Sequence, residues 1–95
     1  TYNSSEPSDE DPEVARLRQR LHEAEKQAAL ALVAQRQAEL NVARKRYERS
    51  SSLAGRGATS QQEADDDFAR QQSAIAAVSA SKAQVAAADA FGRSA

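Results

Sequence analysis

From Glu13 to Ala54 neither glycine nor proline interrupts the chain, and from Ser60 to Phe91 neither appears again; between these runs lies Gly55-Arg56-Gly57-Ala58-Thr59. Two long unbroken runs on either side of one glycine turn leave few options. A connection this short forces the helices it joins to lie antiparallel. Alanine supplies 22 of the 95 residues and aromatics only 4%, a composition of strong helix formers with little bulk for a mixed core. The expected fold class is therefore all-α: a long antiparallel two-helix coiled-coil hairpin. Helix 1 is expected over 13–54, the tip over 55–59 and helix 2 over 60–91, with 92–95 as a tail. Because alanine buries little area, such a hairpin should gain from neighbours.

The ends of the helices have local causes. Asp11 can cap helix 1, Pro12 suits the first helical position, and Glu13 favours the positive end of the helix dipole. Ser60 and Glu63 have the Ser-x-x-Glu spacing of a capping box at the start of helix 2. Gly92 reads as a C-terminal stop. Gly55 and Gly57 serve the turn, and Ser50-Ser51-Ser52 form a weak helical stretch that suits an adaptable tip. Residues 1–12, rich in Ser, Asp and Glu, read as a disordered acidic leader or linker.

Within helix 1, Val14, Leu17, Leu21, Ala24, Ala28, Ala31, Gln35, Ala38 and Val42 recur in unbroken steps of three and four, the signature of a coiled-coil seam. Phe68, Ile75, Val78 and Val85 form the expected stripe of helix 2. A second apolar set, Leu30, Val33, Leu40 and Tyr47, lies off this seam and suggests lateral packing against another hairpin. With the turn centred near residue 56, Arg46 faces Asp66, Lys45 faces Asp67, Val42 faces Arg70 and Leu21 faces Phe91. The basic run Arg44-Lys45-Arg46 is then expected to pair with the acidic run Asp65-Asp66-Asp67. Exposed pairs of this kind set register more than stability.

Several functional classes are disfavoured. The net charge of −1 argues against a general polyanion binder, and the facing acidic run would neutralise Arg44-Lys45-Arg46, so no nucleic-acid partner is expected. The absence of cysteine removes disulfides and thiolate metal sites. His22 is the single histidine; beside Glu23 and Glu25 it reads as a solvated surface residue, with no metal and no cofactor expected. No catalytic triad, phosphate loop or enclosed carboxylate pair can be placed on two helices, so the chain is not expected to be an enzyme. No apolar run approaches the roughly 18 residues of a membrane span, so no direct membrane insertion is expected.

The tip carries the most specific pattern. Arg49 and Leu53, four apart, share a helix face, and Ser60 lies across the turn, in the spacing Arg-x3-Leu-x6-Ser. Together with Tyr47-Glu48, Gly55, Gln62-Glu63 and Asp65, this resembles the hairpin tip of the periplasmic adaptors. These are the HlyD-like and AcrA-like membrane fusion proteins of tripartite efflux and type I secretion systems. The resemblance covers about residues 13–91. It implies a hairpin that reaches through the periplasm and docks its tip on a TolC-like outer-membrane channel, with Arg49, Leu53 and Ser60 as the channel-binding residues. It also implies neighbouring adaptor protomers and an inner-membrane transporter, contacted through lipoyl-like and β-rich domains that this sequence does not contain. The parent protein would be periplasmic and anchored at the inner membrane. The alternative expectation is a structural, oligomerising coiled-coil stalk with no channel partner.

Overall fold

The computed structural model describes residues 10–94, which form two helices: α1 over Pro12–Gly55 and α2 over Gln61–Ser94. The two pack along their lengths as one antiparallel hairpin, all-α and extended to 69 Å. Residues 1–9, most of the expected leader, lie outside the described residues. Of its remainder, Glu10 pairs with Arg18 and Pro12 already belongs to α1.

Helix α1 starts where capping chemistry places it. The Glu13 N–H donates to the Asp11 carboxylate at 2.8 Å, with Pro12 at the first turn. At its other end Gly57 takes φ of +74°, the only positive φ among the described residues. Around it the Ala58 N–H reaches the Leu53 carbonyl at 2.8 Å and the Gly57 N–H reaches the Ala54 carbonyl at 3.1 Å. These are the two bonds of a Schellman motif, which needs a left-handed residue after the cap. Helix α1 therefore winds without a break through Ser50-Ser51-Ser52, and no loosened segment precedes the turn.

The helix faces differ from those expected. The stripe from Val14 to Val42 points to solvent: Leu17 and Val42 are 54% exposed and Leu21 60%. The α1 seam instead runs through His22, Lys26, Ala29, Val33, Arg36, Leu40, Ala43, Tyr47 and Ser50, all buried or half-buried. It meets Ala64, Asp67, Gln71, Ala74, Val78, Ser81, Val85, Ala88 and Gly92 of α2, which alternate three and four in the same way. Val33, Leu40 and Tyr47, expected on a lateral surface, are thus seam residues. Leu40 is 4% exposed, and the Tyr47 ring packs on Phe68 at 5.2 Å between centroids. Only Leu30 of that set remains exposed.

The reason is bulk. Val14, Leu17 and Leu21 lie at or beyond the reach of α2, and the rest of their stripe is mostly alanine. Burying Val33, Leu40 and Tyr47 removes far more apolar area from water. Phe68 and Ile75 flank the α2 seam, while Val78 and Val85 lie within it. Ser50 and Ser81 are buried where bulk would separate the helices. Their hydroxyls donate to the carbonyls three residues back, Tyr47 at 3.3 Å and Val78 at 2.7 Å, which satisfies both groups.

The register also moves. A turn centred on residue 56 would set Asp65 opposite Tyr47, but Phe68 lies there, and Lys26 bonds Asp89 at 3.1 Å. The crossing point lies between Gly57 and Ala58. The expected pairing of the basic and acidic runs does not form: Asp67 turns to Arg70 of its own helix at 3.1 Å, while Asp65 and Asp66 accept from Gln61 and Gln62. Gly92 is no stop, since α2 continues to Ser94.

Candidate docking site at the hairpin tip

The tip is built by the last turns of α1 and the first of α2. Ser60 caps α2, its Oγ accepting from the Glu63 N–H at 3.1 Å. The reciprocal half of the expected capping box is not made. The Glu63 carboxylate takes the Thr59 hydroxyl instead of the Ser60 amide. With Ser60 engaged in this cap and the Schellman bonds closing α1, the turn is held from both sides.

On one flank of this tip a shallow groove of about 250 Å³ is lined by Arg46, Arg49, Ser50, Leu53, Thr59, Glu63, Asp67 and Arg70. Of the three residues that the sequence singles out, Arg49 and Leu53 share this groove, with Arg49 exposed and Leu53 half-buried. Ser60 lies outside it. Arg46 and Arg70 join the groove, and sequence reading missed them as site residues. The signal was present for Arg46, three residues before Arg49 and seven before Leu53 on one helix face. Arg70 could be placed only once the register was known.

The charges of the groove are unevenly partnered. Arg70 is held by Asp67, whose side chain is nearly buried at the seam. Among the described residues, Arg46 and Arg49 have no ion-pair partner. Their guanidinium groups, each a planar fork of donors, are open to an incoming acceptor next to the apolar edge of Leu53.

Among the described residues no group of three or more potential metal ligands is found, and no helix is long and apolar enough to cross a membrane. His22, expected on the open surface, is half-buried at the other end of the hairpin, against Gly92. Comparison of the chain with family models, with characterised proteins and with solved structures finds no match.

Proposed function

We propose that this chain is a non-enzymatic interaction module, the α-hairpin of a periplasmic adaptor that links an inner-membrane transporter to a TolC-like outer-membrane channel. The observation that carries this reading is the tip groove, where two arginines without a carboxylate partner flank Leu53 at the end of a stiff antiparallel hairpin. In this reading the hairpin is a spacer and its tip is the recognition element. Arg49 donates to carbonyls or carboxylates of the channel, Leu53 fills an apolar groove between channel helices, and Ser60 holds the turn by capping α2. Arginine is among the residues enriched at the energetic centre of interfaces.

The test is binding of the whole chain to a purified TolC-like channel by surface plasmon resonance, with circular dichroism as control. Arg49→Asp and Leu53→Asp should each abolish binding while helicity is retained, because Arg49 is exposed and Leu53, half-buried, sits in the last turn of α1 beyond the main seam. Binding that survives both changes sinks the reading. The stalk alternative would then stand better, favoured by the exposed three-and-four stripe on α1.

A further inference from the structure

We propose that α1 carries a second coiled-coil face, on which a second copy of this chain docks in parallel and in register. Helix α2 occupies the face through Leu40 and Tyr47. The stripe through Val14, Leu17, Leu21, Gln35 and Val42 keeps its unbroken spacing and stays exposed along its length. An uninterrupted seam over this distance can be followed only by another helix of the same supercoil. Scattered surface apolars do not keep such a period.

The flanking charges select the partner and its direction. In a parallel pair, a residue on one edge of the seam meets the residue five further on along the other edge of the second helix. Here Glu13 is followed at that distance by Arg18, and Arg20 by Glu25, all four exposed. A second copy lying parallel therefore forms Glu13–Arg18 and Arg20–Glu25 pairs between chains, each twice by symmetry. Arg18 now pairs with Glu10, an exposed contact that contributes little and is readily exchanged.

Gln35, the one polar residue within the stripe, points the same way. In parallel register it meets Gln35 of the second copy, and the two amides can hydrogen-bond each other. A fully overlapped antiparallel pair would leave that amide facing Leu21 and Ala24. A single polar residue in a seam commonly fixes register in this manner. The face lies along the flank of α1, so the contact stands or falls separately from the channel reading: variants of the tip test one, variants of the stripe the other.

Sedimentation equilibrium of the whole chain should show a dimer that strengthens with concentration. Leu17→Asp combined with Leu21→Asp should leave a monomer with nearly unchanged helicity, since both side chains are more than half exposed. Arg20→Glu should weaken the dimer several-fold, and adding Glu25→Arg should restore it. The chain has no cysteine, so Val14→Cys and Val42→Cys, which lie opposite each other only in the overlapped antiparallel pair, report direction: each alone should cross-link to its own counterpart on oxidation. A monomer at every concentration would overturn the proposal. So would cross-linking that appears only when the two cysteine variants are mixed, which signals an antiparallel pair.

Discussion

The imidazole of His22 occupies the space in which a side chain at position 92 would lie: a Cβ on Gly92 would fall 2.0 Å from its Cε1 and 2.2 Å from its Nδ1. The glycine lies inside α2, where it costs about 1 kcal/mol relative to alanine. The ring of His22 closes over it, so this end of the hairpin interlocks through a missing side chain.

Gly92→Ala should therefore have opposite components. Displacing a half-buried ring at an open end offsets the gain in helix propensity, and the melting temperature should barely change. In a His22→Ala background the same change should stabilise by about 1 kcal/mol. A thermal-melt double-mutant cycle measures the difference, and strict additivity would show that the two residues do not meet.

The phase of the seam is tested by two leucines. Leu40→Ala should destabilise by about 2–3 kcal/mol, as expected for a buried leucine in a thin core. Leu21→Ala should stay within about 0.5 kcal/mol, as for an exposed surface site. Urea unfolding at low protein concentration, where self-association does not contribute, ranks them; the reverse order would restore the seam through Val14 and Val42.

The asymmetric cap makes a specific pattern of coupling. Ser60→Ala should weaken the hairpin by about 1 kcal/mol, the usual cost of losing such an acceptor. Glu63→Ala keeps the backbone N–H that Ser60 accepts, so the two changes should be nearly additive. Coupling should appear between Glu63→Ala and Thr59→Ala, whose side chains bond each other. Strong coupling of Glu63 to Ser60 in melts would indicate a reciprocal box.

Acid should loosen the end of the hairpin near Gly92 through Asp89. The hydrogen bond from Lys26 and then its charge hold the Asp89 carboxyl below the usual carboxylate range. A carboxylate with a depressed folded pKa contributes stability that is fully present above its unfolded value and is lost as pH falls through the lowered one. The melting temperature of the native chain should fall on acidification through that window, and the Asp89→Asn variant should fall less. Parallel curves for the two would remove Asp89 from the account.

The existence of the hairpin was readable from local signals. Asp11-Pro12, the glycines of the turn and Ser60 act within a few residues of themselves, and each bounds a helix almost where the structure has it. The placement of Arg49 and Leu53 on one face followed from helical spacing alone. Which faces meet did not. Two interleaved stripes on α1 satisfy the same three-and-four rule equally well, and one of them, Val14 to Val42, is left in water. Spacing records which residues can share a face, whereas packing chooses the face that buries more area within reach of α2, and that is set by Val33, Leu40 and Tyr47. The register depended likewise on the φ of Gly57 and the bonds around it, which moved Arg70 into the tip groove and set Phe68 against Tyr47. The sequence by itself determined that two capped helices must fold back on each other. Only the tertiary structure decided their phase and register, because those depend on side-chain volumes summed across two helices and not on the pattern along either one.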